Sequence, residues 1–465
     1  MVFKQDMLIW SIAVVVILYI LQGVIAGLIT SIPLYLTSYK ASWEQQGTFS
    51  WVTYPFSFKI LWAPIIDSVY IRRFGRNQTW LIPIQLIIGI ILFILSFYLE
   101  SLLINLEIIR LTIVFLLICL LIASQDIVVD GWSVCLFSSI NPQWSSTCQT
   151  IGLTVGGFIG STILLTFESS NFTNKYIREP LSHPHRSKGL FSIEQFISFV
   201  GLVFIIISII MIANAFFYNQ SNNINIQKKK QTKLNLFQTY MAILELFKNP
   251  YIRQFTFILL TCNVGYGATY SMTNLTLLEY GIRRDTLALL RIPLLVIHIV
   301  VPLCLNRTLC PLKWFSRGYI LHVIGSLILG IYIFYTPRIV HTLYFYPILI
   351  ILLCLNECFI FMKISSCVGF YARISDSRIA GTYMTLLATI SSLGYNLSST
   401  LALYIANWLP KSYAYFIEVG VCFILGLIWI RLTWNILKRL DGLPIEEWYL
   451  KDSSSTHYHL VLEED

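Results

Sequence analysis

Charge is scarce in this 465-residue chain: Asp, Glu, Lys and Arg make up 12% of it, about half their share in a soluble globular protein. So few charges cannot cover a large water-facing surface, which excludes a sizeable soluble domain. No GxxxxGK[ST] phosphate-binding loop is present, so no nucleotide-hydrolysing motor is expected. No CxxC pair and no Cys/His ligand spacing occurs, so the ten cysteines read as small apolar fillers and neither a metal nor a cofactor is expected. No cleavable leader is expected either. The first apolar run continues from Leu8 through Leu36, too long for a signal-peptide core, and reads as a first membrane span. The net charge of +9 does not indicate a nucleic-acid partner, because the Lys and Arg residues lie in loops between apolar runs rather than on one basic face.

What the chain has instead is hydrocarbon. Hydrophobic residues are 56% of it and the mean hydropathy is +0.72. Runs near the length needed to cross a bilayer, about 20 residues, fall at 8–36, 47–67, 80–99, 110–138, 144–166 and 193–217, then at 250–278, 286–305, 318–335, 343–368, 379–405 and 413–436. An all-α membrane protein of twelve transmembrane helices is therefore expected, embedded in the lipid bilayer as two six-helix bundles. Residues 1–217 and 249–437 form the bundles, 218–248 a polar, basic cytosolic linker, and 438–465 a polar, acidic cytosolic tail. The side carrying the termini collects more positive residues, among them Lys4, Lys228, Lys229, Lys230, Lys438 and Arg439, which favours cytosolic termini. The sequon Asn171-Phe172-Thr173 then lies on the opposite side, where Asn171 is a candidate glycosylation site.

The two halves share a trace of a repeat. Aligning SSTCQTIGLTVGG from Ser145 with AGTYMTLLATISS from Ala380 pairs Thr147 with Thr382, Thr150 with Thr385 and Thr154 with Thr389. Such a face either lines a cavity or lets two helices pack closely. The layout resembles a major facilitator transporter, with its cargo held near mid-membrane between the halves.

Charges inside the runs mark candidate binding residues. Lys59 in YPFSFKILWAPIID sits where a charge costs at least about 2.5 kcal/mol. Asp126 and Asp130 in ASQDIVVDGW are one turn apart, and Lys59 is expected to pair with one of them in a shared polar cavity. The second half carries Arg291 and His298 on its eighth span, with Asn356, Glu357 and Lys363 on its tenth, the helices equivalent to the second and fourth. Static internal ion pairs are the plain alternative. With Tyr54, Tyr266, Tyr270 and Tyr383 nearby in the pattern, the cations suit an anion that carries phosphates and an aromatic ring. The loop DSVYIRRFGR, placing Asp67 before Arg72, Arg73 and Arg76, resembles the cytosolic gate loop of major facilitator proteins. No catalytic residue is expected: HPHR at His183 to Arg186 has no carboxylate at a spacing that suits base catalysis.

The strings PFSFKILWAPIIDSVYIRRFGR, ASQDIVVDGW, STCQTIG, FESSNFTNKYIR and ISDSRIAGTYMTLL, in that order, resemble signatures of the acetyl-coenzyme A transporter family over roughly residues 20–435. The resemblance implies an endoplasmic reticulum protein that moves cytosolic acetyl-coenzyme A into the lumen for acetylation, by alternating access. Exchange for free coenzyme A, uniport and proton coupling through Asp126 or Asp130 stay open. On this reading Lys59, Arg291 and Lys363 compensate the phosphates of the cargo, and Asp126 and Asp130 hold Lys59 while the site is empty. Two alternatives remain: a carrier for muropeptide-like or sugar-linked anions, and a multispan acyltransferase built on His298. The chain departs from animal members in its short amino-terminal tail and in the loop IANWLPKSY, which lacks a cysteine-containing insertion.

Overall fold

The computed structural model describes residues 2–71, 75–137, 143–221, 236–305, 311–374 and 380–448. These residues are helical almost throughout, with no strand among them, as expected where hydrocarbon leaves backbone N–H and C=O groups no partner but each other. The first half comprises α1 (Val2–Ser38), α2 (Trp43–Ser50), α3 (Tyr54–Phe58), α4 (Ala63–Ser68), α5 (Gly75–Ile104), α6 (Ile108–Phe137), α7 (Gln143–Phe158), α8 (Leu164–Glu168), α9 (Ser170–Thr173) and α10 (Ile193–Ser221). The connecting α11 (Leu236–Leu246) leads to α12 (Pro250–Thr261), α13 (Gly267–Glu279), α14 (Arg284–Leu289), α15 (Ile292–Leu305), α16 (Pro311–Phe334), α17 (Thr336–Ile339), α18 (Phe345–Ile374), α19 (Ala380–Ala406) and α20 (Ala414–Asp441).

Among the described residues, eight helices are long and apolar enough to cross a membrane: α1, α5, α6, the α7–α8 unit, α10, α16, α18 and α20. Their outward side chains, such as Phe97, Ile113, Phe199 and Leu432, are exposed and apolar, a surface made for lipid. The other expected runs look different. α19 is 27 residues long but rich in Ser, Thr and Asn, while the runs at 47–67, 250–278 and 286–305 are each interrupted. In the first of these, Pro55 and Pro64 lack the N–H that an uninterrupted helix needs, and 3-10 turns at Trp51–Thr53 and Lys59–Leu61 separate α2, α3 and α4. The break frees a carbonyl: Ile65 N bonds Trp62 O, and Leu61 O instead accepts from the Tyr240 hydroxyl at 2.5 Å. That bond fastens α11 to the end of the second segment.

Close packing dominates inside the first half. Gly23 and Gly27 of α1 lie against Gly156, Gly157 and Gly160, and a Cβ on Gly156 or Gly160 would run into the Ile20 or Val24 carbonyl. Bare backbones can then touch, the arrangement that holds helices together in lipid. The two readings of the SSTCQTIGLTVGG face therefore divide between residues: its glycines pack on α1, and Thr154 lines a cavity. The matched Thr389 is buried and bonds its own helix at Thr385 O, so the alignment does not carry one role into both halves. Thr147 and Thr382 lie among side chains outside the description.

The start of α1 packs with the ends of α4, α6 and α10 through Val14, Ile66, Val129 and Met211. In the second half, the end of α20 meets the start of α12, where the Arg439 guanidinium donates to Gln254 at 2.6 Å. We call this end of the bundles the terminal face and the other the distal face. The expected tail is partly structured: a turn at Ile445–Trp448 buries Trp448 among Phe255, Phe370 and Tyr371. A large indole in a polar stretch offers enough apolar area to hold that segment down. Within the expected linker, α10 reaches Ser221 and α11 is helical; residues 222–235 lie outside the description.

Candidate functional site

A cavity of about 660 Å³ lies between the halves. From the first half it is lined by Thr30, Ser50, Thr53, Thr154 and Thr162, and from the second by Tyr270, Asn274, Arg291, His298, Asn356, Glu357 and Tyr395. Its polarity is thus uneven: hydroxyls on one wall, ionisable groups on the other. Arg291 follows the last turn of α14 and precedes Pro293 in α15, and its own N–H bonds Ala288 O at 3.2 Å. The helix break turns the guanidinium into the cavity, where no hydrogen bond or ion pair to it is found among the described residues. On the same wall, His298 Nε2 and Glu357 Oε1 are 3.7 Å apart, and the His298 ring stacks on Phe361 with centroids 4.3 Å apart.

Lys59 sits elsewhere. It opens the 3-10 turn between α3 and α4, and its Nζ lies 2.6 Å from Asp126 Oδ2. Asp126 Oδ1 accepts from Gln22 at 2.6 Å, so both carboxylate oxygens are engaged. Asp130 takes no part in that pair: it accepts from the Tyr19 hydroxyl at 2.8 Å and from Gln149 at 2.9 Å. A buried carboxylate needs such donors to offset lost hydration. This cluster lies toward the terminal face from the cavity and does not line it. Ser57, two residues before Lys59, connects the two regions through a 2.8 Å bond from Asn396, itself a cavity residue.

The second half has a parallel cluster. Lys363 is six residues beyond Glu357 on α18, about 9 Å further toward the terminal face. Its Nζ is 2.6 Å from His322 Nδ1 and 3.4 Å from the centre of the Tyr266 ring, and it too is outside the cavity lining. The ammonium is compensated by an imidazole and a π face, with no carboxylate within ion-pair distance. Tyr54 bonds Thr400 at 3.2 Å and stacks on Trp51, while Tyr383 reaches Trp448 O at 3.5 Å near the terminal face.

Of the sequence candidates, the cavity therefore gathers Tyr270, Arg291, His298 and Glu357. Lys59, Asp126 and Asp130 form one cluster beside it, and Tyr266 and Lys363 another. The gate residues Arg72 and Arg73 lie outside the described residues, as do the side chains of Asp67 and Arg76. Asn171 is exposed on α9. His322, Gln22 and Gln149 were not anticipated; a single histidine or glutamine in an apolar run gives no spacing signal.

Among the described residues, polar links between the halves gather at the distal face. Arg284 lies 3.9 Å from Glu168 and over the Tyr35 ring at 4.3 Å, and the Ser169 hydroxyl donates to Asp285 at 2.8 Å. Nearby, Ser50 and Thr400 hydroxyls are 2.7 Å apart, Thr53 donates to Asn396 at 3.0 Å, and Asn407 donates to Glu44 at 3.3 Å.

The chain is similar along most of its length to known membrane proteins. The sequence profile of the family described as acetyl-coenzyme A transporter 1 matches residues 11–309 and 306–414. An uncharacterized protein of Schizosaccharomyces pombe is 32% identical over 409 residues, covering 85% of this chain and 74% of that protein. An uncharacterized membrane protein of Saccharomyces cerevisiae is 27% identical over 557 residues, covering 93% and 96%. Among solved structures, an inward-facing, unoccupied bacterial homologue of the human lysosomal transporter Spinster matches with a TM-score of 0.62 at 14% identity, covering 95% of this chain and 98% of that one. The nucleoside transporter NupG matches with a TM-score of 0.59 at 12% identity, covering 91% and 99%. At that identity the structural likeness establishes the fold, which is that of the major facilitator transporters. The chain is a multi-pass membrane protein and a transporter rather than an enzyme, and it belongs to the acetyl-coenzyme A transporter family.

Proposed function

We propose that this protein carries acetyl-coenzyme A from the cytosol into the lumen of the endoplasmic reticulum by alternating access, supplying lumenal acetylation. One observation carries the reading: a guanidinium with no hydrogen bond or ion pair among the described residues, Arg291, faces a cavity of ligand size between the two halves. A cation held within a membrane is costly, and a phosphate is the partner that Arg binds best in bidentate geometry. Tyr270 and Tyr395 on the same wall offer aromatic surface for an adenine ring.

In this reading the chain spans the membrane twelve times with both termini cytosolic, so the distal face is lumenal and Asn171 is open to glycosylation there. The links of Arg283, Arg284 and Asp285 with Glu168 and Ser169 hold the lumenal side shut. Lys59 waits on Asp126 beside the route from the cytosol and exchanges that carboxylate for cargo phosphate, with Lys363 serving the other wall. Asp67, Arg72, Arg73 and Arg76 close the cytosolic side in the opposite state. Coenzyme A returns as counter-substrate.

The test is uptake of labelled acetyl-coenzyme A into sealed vesicles holding the purified protein, with and without coenzyme A trapped inside. Trapped coenzyme A is expected to accelerate entry. Uptake of a sugar nucleotide in preference to acetyl-coenzyme A would overturn the cargo assignment.

A further inference from the structure

We infer that His298 and Glu357 together hold one exchangeable proton that is taken up when an anionic cargo binds, so that transport is proton-coupled at this pair. The inference deepens the proposed function and rests on it. Both side chains line the central cavity and are about a quarter exposed, at 26% and 25%. His298 comes from α15 and Glu357 from α18, so the pair joins two helices of the cavity wall. His298 Nε2 is buried, makes no hydrogen bond, and faces Glu357 Oε1 at 3.7 Å. A buried ring nitrogen aimed at a carboxylate just beyond bonding distance is a place for a proton and has no other evident use.

Charge counting gives the coupling. With its proton the pair is neutral overall, as imidazolium and carboxylate or as imidazole and carboxylic acid; without it the pair carries one negative charge. Arg291 lines the same cavity and makes no ion pair with Glu357 but feels its charge, so a cargo phosphate that takes the guanidinium leaves the carboxylate less compensated. A polyanion seated on Arg291 then stands beside a second negative charge in a poorly screened space, and the protonated pair is favoured. Cargo and proton therefore bind together.

Among the described residues that line the cavity, this pair is the group that can change its charge. From the α14–α15 side Glu357 meets Arg291 and His298, from α13 Tyr270, from α19 Tyr395, and on its own helix Cys354, Cys358 and Lys363. From α16 comes His322, turned to Lys363 rather than to the cavity. Arginine stays charged and phenols stay neutral near neutral pH, and Lys363 lies outside the cavity lining.

Calorimetry of acetyl-coenzyme A binding to the purified full-length protein, in buffers of different ionisation enthalpy, counts protons per ligand. The wild type is expected to take up more protons per cargo than Glu357→Gln, the protons on the cargo's own phosphates cancelling in the difference. Glu357→Gln should still bind, with an affinity that no longer weakens as pH rises. His298→Gln is the second variant and should also lose the extra proton. Uptake by both variants equal to that of the wild type overturns the coupling while leaving the cargo reading intact. Absence of wild-type binding overturns the cargo reading and the coupling with it.

Discussion

At the residue scale, what decides a charge's role here is whether the protein already supplies its partner. Lys59 is compensated by Asp126, and removing one member of such a pair strands the other. Lys59→Gln is therefore expected to destabilise the protein by about 3 to 5 kcal/mol, with Lys59→Gln/Asp126→Asn recovering most of the loss. Thermal unfolding in detergent checks this. Equal stability of single and double variants would show that the pair is not a closed unit. The pairing was legible in the sequence because opposite charges in neighbouring apolar runs have few ways to be tolerated. That Asp130 goes to Tyr19 and Gln149 was not, since neutral partners leave no charge pattern. Lys363 illustrates the same limit more sharply: its partners are a histidine and a ring face, and nothing in their spacing announces them.

At the scale of elements, the apolar runs gave the helices, and the small residues inside them decided how near two helices come. The α1–α7 contact depends on glycines with carbonyls where a Cβ would be. Gly156→Leu should abolish recovery of monodisperse protein, whereas Gly420→Ala, with nothing within 4 Å of the added carbon, should behave as wild type. Size-exclusion profiles compare them; a normal profile for Gly156→Leu would mean that the two helices can part without cost. Prolines at 55 and 64 foretold that the second run could not be one regular helix, yet length and hydropathy alone read it as continuous. The same breaks produce the turn that carries Lys59 and free the Leu61 carbonyl for Tyr240. In α14–α15 the interruption at Leu290–Arg291 turns a would-be buried cation into a cavity residue.

At the scale of the whole molecule, the distribution of contacts between halves matters more than any one of them. Among the described residues, hydrogen bonds and charge contacts joining the halves concentrate at the distal face, around Glu168, Arg284 and Asp285 and along α2 and α19. In the proposed alternating-access cycle that set breaks as a unit. Arg284→Ala removes the ion pair with Glu168 and the contact with Tyr35, and should raise labelling of a cysteine placed at Ser399, in the cavity, by a membrane-impermeant reagent added from the distal side. Unchanged labelling would show that Arg284 does not hold that face shut.

The central claim is that Arg291 is left unpaired for the cargo's phosphates. The most direct measurement is equilibrium binding of acetyl-coenzyme A to the purified wild type, Arg291→Gln and Arg291→Lys. Loss of a charge-assisted phosphate contact worth about 1.5 to 3 kcal/mol predicts roughly 10- to 150-fold weaker binding for Arg291→Gln. Arg291→Lys should fall between that variant and the wild type. Wild-type affinity in Arg291→Gln, with the protein folded, would contradict the account.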